Sequence, residues 1–177
     1  EEARFDKRPK LPKHMRLPRM DDWMFYNKPR IVELHEQEVR LFESHLDNGT
    51  LPNVPLHTLA LLPPELHEEK ERLLAEGFPE WSRPQLNSFL RALSKFGRTQ
   101  YDKVAKDIGR PVDEVRRYSE LFWAKGSTVF SEAEWERFTK QVERGEKRIE
   151  EIERLSIATD KLIKMYENPW EEVNFRF

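Results

Sequence analysis

The side chains of this sequence that are placed to do chemistry are cationic. Lys7, Arg8, Lys10, Lys13, Arg16 and Arg19 stand close together, and Asp6 is the one acid between Arg4 and Arg19. A second set, Arg83, Arg98, Lys103, Lys106, Arg110, Arg116 and Arg117, falls within 81–125, where ten bases meet five acids. Between the two sets, residues 31–80 hold eleven acids and three bases. From residue 126 on, nine bases meet twelve acids. A formal net charge of −2 therefore conceals two basic blocks separated by an acidic one. Guanidinium and ammonium groups in such blocks neutralise phosphates by charge alone, without reading base edges. These residues are the candidate DNA-contacting set.

Other chemistries lack their residues. There is no cysteine, so no disulfide framework is expected and a reducing compartment fits. The histidines (His14, His35, His45, His57, His67) form no pair at ligand spacing, and His35 lies within an apolar arc, where a core role is the plainer reading. No metal and no cofactor are expected. Lys125-Gly126-Ser127-Thr128 lacks the upstream glycine and the preceding strand of a nucleotide-binding loop, so no catalytic residue is assigned. No apolar run approaches a membrane span and no signal peptide is recognisable. Asn48-Gly49-Thr50 matches a glycosylation sequon, discounted for a chain of this composition. Both ends look cut from something longer.

The elements that must position these cations read as helices throughout. Hydrophobic content of 37% against 36% charged residues favours elongated helices over one large globule. Residues 4–30 carry Pro9, Pro12, Pro18 and Pro29 among the bases, a density that blocks helix and leaves either an extended basic strand or a solvated linker. Trp23, Phe25 and Tyr26 are too aromatic for a linker and should pack on the helix that follows, from Pro29 to about Leu46. A loop over 47–62 precedes a helix over 65–76, opened by Pro63 or Pro64 and stopped by Gly77. Its Leu66, Leu73 and Leu74 are expected to face the bundle that follows.

That bundle, 81–125, reads as three short helices. Ser82 caps the first, with Leu86, Phe89, Leu90 and Leu93 on its apolar face and Gly97 at its end. Tyr101, Val104, Ala105 and Ile108 mark the second, stopped by Gly109; Pro111 opens the third, with Val115, Tyr118 and Phe122. The second and third have the outline of a helix-turn-helix. Ser131-Glu132-Ala133-Glu134 then caps a helix expected to run unbroken over 131–166, with Gly145 as its interior weak point and Asn168-Pro169 as its stop. The weak middle of its apolar stripe suits a strut packed at its ends and part-exposed between, rather than a coiled-coil strand.

One aromatic per helix (Trp81, Tyr101, Phe122) resembles the Myb/SANT repeat, with Trp81 as the expected buried anchor; any three-helix bundle is the alternative reading of the spacing alone. The order of parts is more specific. Asp22-Trp23-Met24-Phe25-Tyr26, then Gly77-Phe78-Pro79-Glu80-Trp81, then Glu143-Arg144-Gly145-Glu146-Lys147, and finally Asn168-Pro169-Trp170-Glu171-Glu172 together resemble the HAND–SANT–SLIDE region of ISWI-type chromatin remodelling ATPases. The resemblance implies an all-α chain. It would hold a partial HAND domain over 1–62 with the Pro-rich basic stretch, a SANT domain with its leading helix over 63–125, and a spacer helix over 126–177 leading towards a SLIDE domain that is absent. The first HAND helix also looks missing, so DNA binding weaker than that of the whole region is expected. The implied partners are linker and nucleosomal DNA, histones and accessory remodeller subunits, with no membrane, in the nucleus. The resemblance implies support of nucleosome sliding and spacing, with ATP hydrolysis belonging to a motor outside this sequence. The alternative is a SANT-type scaffold that binds histone tails or a partner subunit, since Asp113, Glu114 and Glu120 share the third helix with Arg116 and Arg117. A sequence-specific Myb factor is the third option.

Overall fold

The computed structural model describes residues 10–55 and 58–166, and every regular element among them is helical: α1 Lys28–Asp47, α2 Pro64–Glu76, α3 Arg83–Phe96, α4 Tyr101–Ile108, α5 Val112–Val129 and α6 Glu132–Lys164, with 3-10 turns at Lys13–Met15 and Asp22–Met24. The fold is all-α. The chain divides into two compact units after Trp81.

Among the described residues of the first unit, two small apolar clusters form beside the buried aromatic run. Met15, Phe42 and Leu59 form one, rimmed by Leu11, Leu46, Leu51 and Leu61. Ile31, Leu34 and Leu73 form the other, rimmed by Leu17, Met20, Tyr26, Leu66 and Leu74. The described part of the Pro-rich stretch is therefore docked: Met15 is 1% exposed, and His14 Nε2 lies 2.8 Å from the Leu59 carbonyl oxygen. This excludes a solvated linker for residues 10–27. The aromatic run is buried as expected at Met24 and Phe25, while the Trp23 indole donates to the Trp81 carbonyl and the Phe78 N–H to the Met24 carbonyl. Phe25 adopts a left-handed backbone (φ 53°), rare for a bulky residue and held here by its burial.

One expectation changes in this unit. Leu66, Leu73 and Leu74, expected to face the three-helix bundle, pack in a cluster with Ile31 and Leu34 of α1, and α2 falls in the same compact unit as α1, which runs to residue 81. Trp81 is buried as expected; its ring stands edge-on to Phe78 at 6.1 Å and its carbonyl accepts from the Trp23 indole. Nothing in the sequence marks Glu38 as buried. It lies on the inward face of α1 between Leu34 and Phe42, and Lys70 of α2 donates to it.

The second unit is the three-helix bundle with α6 laid along α3. Ser82 and Gln85 form a reciprocal capping box at the start of α3. Gly109, at φ 68°, closes α4 in the left-handed conformation that a side chain would strain. Phe89, Tyr118 and Phe122 are fully buried at the centre; Tyr101, expected there, is only half-buried. α5 runs to Val129, four residues past the expected end.

α6 is unbroken over Glu132–Lys164, as its capping box predicts, and Ser131 accepts from the Glu134 N–H. Its expected stop at Asn168-Pro169 lies outside the described residues. Gly145 is not a weak point. A Cβ there would stand 2.1 Å from the Ser94 carbonyl oxygen, so α3 and α6 touch backbone to backbone, and the Ser94 hydroxyl donates to the Gln141 carbonyl beside it. Gly145→Ala should therefore destabilise this unit by about 1–3 kcal/mol through overpacking, although alanine favours an isolated helix by about 1 kcal/mol. Denaturant unfolding gives the sign, and a gain in stability would rule out the close crossing. The expectation for α6 is packing at both ends. Among the described residues it packs only along its first half: residues 150–166 are exposed on every side, Ile152, Leu155 and Ile163 included.

Candidate nucleic-acid interface

In the first unit, Lys10, Lys13, Arg16 and Arg19 are all exposed, while Pro12 and Met15 of the same segment are buried. The segment passes through the 3-10 turn Lys13–Met15, and the four exposed cations lie along a strip anchored by the buried Pro12 and Met15. Arg16 Nε donates to the Leu11 carbonyl at 3.1 Å, which steadies its guanidinium. Arg19 pairs with Asp21 at 2.5 Å yet stays 75% exposed, a geometry that water and salt weaken readily. Lys7 and Arg8 lie outside the described residues.

In the second unit the predicted residues separate by employment. Arg83 of α3 reaches Glu134 of α6 at 2.6 Å. Arg98 forms an ion pair with Glu146 at 3.1 Å and stacks 4.1 Å over the Trp123 ring. Arg110 pairs with Glu114 at 3.5 Å, with only 18% of its side chain exposed. Arg83 and Arg98 tie α6 to the bundle, Arg110 pairs locally with the first turn of α5, and the charge of all three is already matched. The Arg83 hydrogen bond, helped by Ser131, holds the Glu134 carboxyl below the usual carboxylate range, so this clamp stays ionised near neutrality. Lys103 and Lys106 on α4, and Arg116 and Arg117 on α5, are exposed. Arg116 lies 5.6 Å over the Tyr101 ring, which gives that half-buried aromatic its role. Asp113 and Glu120 are exposed on the same α5, so its outer surface is mixed in sign.

The two cationic groups thus lie in different compact units. Sequence reasoning missed that three of the arginines are structural. Their signal was faint, because Glu134 and Glu146 are far away in sequence and sit in a segment counted as acidic overall. Reasoning from net charge also passed over the bases of α6. Among the described residues no cluster of His, Asp and Glu is placed to hold a metal ion, and no helix is long and apolar enough to cross a membrane.

The arrangement is an all-helical one with solvent-facing cations among the described residues. No family profile matches the chain. Individual relatives do match. It is 34% identical over 160 residues, 89% of its length, to a probable chromatin-remodeling complex ATPase chain of Oryza sativa subsp. japonica. It is 36% identical over 157 residues, 85% of its length, to an ISWI chromatin-remodeling complex ATPase of Arabidopsis thaliana. It is 31% identical over 173 residues, 89% of its length, to the human SWI/SNF-related matrix-associated actin-dependent regulator of chromatin subfamily A member 1. The chain spans 14%, 15% and 16% of these proteins respectively. It is a homologue of one segment of ISWI-type chromatin-remodelling ATPases.

Proposed function

We propose that this chain is a DNA- and nucleosome-binding module of an ISWI-like, ATP-dependent chromatin remodeller, acting in the nucleus and contacting linker DNA to support sliding and spacing. The parent protein is a DNA-dependent ATPase in this reading, and the chain itself supplies binding rather than catalysis. The HAND, SANT and spacer assignments are part of the same reading, with α1 and α2 on the HAND side and α3–α5 forming the SANT bundle. The observation that carries it is the exposed set Lys10, Lys13, Arg16 and Arg19 on a segment pinned by Met15, in a homologue of remodelling ATPases. Pinning matters because cations on an ordered strip lose less conformational freedom on meeting phosphate than cations on a loose tail. Lys103, Lys106, Arg116 and Arg117 would add phosphate contacts from the second unit.

The test is a salt series by fluorescence anisotropy on two unrelated duplexes and a histone tail peptide. Each neutralised phosphate contributes about −0.9 to the slope of log affinity against log salt. Converting Lys10, Lys13, Arg16 and Arg19 to Ala should flatten that slope and weaken both duplexes alike. One observation favours a second reading: Asp113 and Glu120 on the exposed side of α5 suit a basic histone tail or a partner subunit. Tight peptide binding with no duplex binding at low salt would replace the DNA reading with that one. A preference of more than about a hundredfold between duplexes, roughly 2.7 kcal/mol, would mean that bases are read and would remove both.

A further inference from the structure

α6 carries a cationic ridge that the charge balance of its segment conceals. At 3.6 residues per turn, Arg137, Lys140, Arg144, Lys147 and Arg148 share an arc of about 100° on the side away from the buried Phe138 and Val142. All five are exposed. They extend about 16 Å along a helix whose inner face is fixed on α3. Two of the carboxylates that make this segment look acidic are engaged from the bundle side, Glu134 by Arg83 and Glu146 by Arg98. Glu134 also stands 4.0 Å from Arg137, which lies 5.3 Å over the Phe138 ring. Arg137 is thus the ridge cation most tied to its own helix, and Lys140, Arg144, Lys147 and Arg148 are the more available ones. Arg137, Lys140 and Arg144 also line a recess of about 470 Å³ with Ala133, Glu136 and Gln141. Glu136 holds Lys140 in an exposed i,i+4 pair, a weak competitor for a cation that meets phosphate.

We propose that this ridge is a phosphate-contacting surface for duplex DNA. The proposal deepens the DNA-binding reading above and rests on it. A protein partner would need a desolvated apolar anchor at the centre of its contact. From Ala133 to Arg148 this face offers only the alanine, and larger apolar residues on it begin at Leu155. A straight row of cations on a rigid rod, without anchors, suits a stiff polyanion whose charges repeat along its axis.

The experiment uses the full chain and two unrelated duplexes. Arg144→Ala/Lys147→Ala/Arg148→Ala should lower the salt slope by about 0.9 for each phosphate no longer neutralised, weaken both duplexes equally and leave the thermal unfolding curve unchanged. Arg144→Lys/Arg148→Lys should retain the parent slope, since charge and not geometry is at work. An unchanged slope in the triple alanine variant, while the Lys10, Lys13, Arg16 and Arg19 variant is weakened, overturns the ridge and leaves the broader reading standing. No duplex binding by the parent at low salt overturns both. A poly-glutamate peptide that displaces duplex from the parent but not from the triple variant, and binds more tightly than duplex does, assigns the ridge to a protein partner and overturns the proposal.

Discussion

Phe122→Ala should lower the stability of the C-terminal unit by about 3–5 kcal/mol, the range for emptying a large aromatic site in a packed core. Phe122 is fully buried. Its ring centroid lies 5.7 Å from Phe89 on α3, 5.0 Å from Trp123, 6.0 Å from Phe130, and 5.2 and 6.3 Å from Trp135 and Phe138 on α6. One side chain thus joins α5 to both α3 and α6. Edge-to-face neighbours such as Phe89 and Trp123 add attraction beyond the area they bury. The rings around this hub are rigid and cannot readily collapse into the space left behind. Denaturant unfolding followed by tryptophan emission measures the loss, with Trp123 and Trp135 as adjacent reporters. Phe122→Leu should cost clearly less, because it keeps part of the volume. A loss under about 1 kcal/mol for the alanine variant would mean that the helices are joined elsewhere.

Lys70→Ala should cost about 3–5 kcal/mol in the N-terminal unit, because it strands the Glu38 carboxylate inside the protein. The two side chains are 7% and 3% exposed and bonded to each other between α1 and α2. Glu38→Ala should cost a similar amount by stranding the ammonium. The double variant Glu38→Met/Lys70→Met, of similar volume and without charge, should come within about 1 kcal/mol of the parent or exceed it, since the attraction of a buried pair barely offsets its desolvation. A double-mutant cycle by urea unfolding separates these outcomes. Equal, small, additive losses would show that water reaches the pair.

The residues that set helix limits were legible because their effect is local. Ser82, Gly97, Gly109, Pro111 and Ser131 act through backbone geometry and capping within a few positions, and the helices start and stop at them. The partners of those helices were less legible. The leucines of α2 show that it has a face to bury but not that α1 covers it. Lys70 and Glu38 carry no sign of burial, because charge on an amphipathic helix usually faces water. Gly145 has two physical meanings, lost helix propensity and permitted close approach, and only the position of Ser94 chooses between them. Of the candidate site, the exposed strip from Lys10 to Arg19 could be read directly. The inward use of Arg83, Arg98 and Arg110 depends on carboxylates brought to them by packing or by a helical turn.

The crossing at Gly145 also has a mechanical meaning. α6 is clamped to the bundle there by backbone contact, and some twenty residues of it continue to Lys164 with nothing beside most of them among the described residues. From the fulcrum to Lys164 the helix is about 30 Å long at 1.5 Å per residue. A change of about 10° in the angle at the fulcrum would swing its far end by about 5 Å, roughly one helical pitch. A disturbance too small to notice in the bundle would be delivered at the tip as a displacement the size of a side chain. The same leverage runs backwards, so a load on the tip would be felt as torque at Ser94.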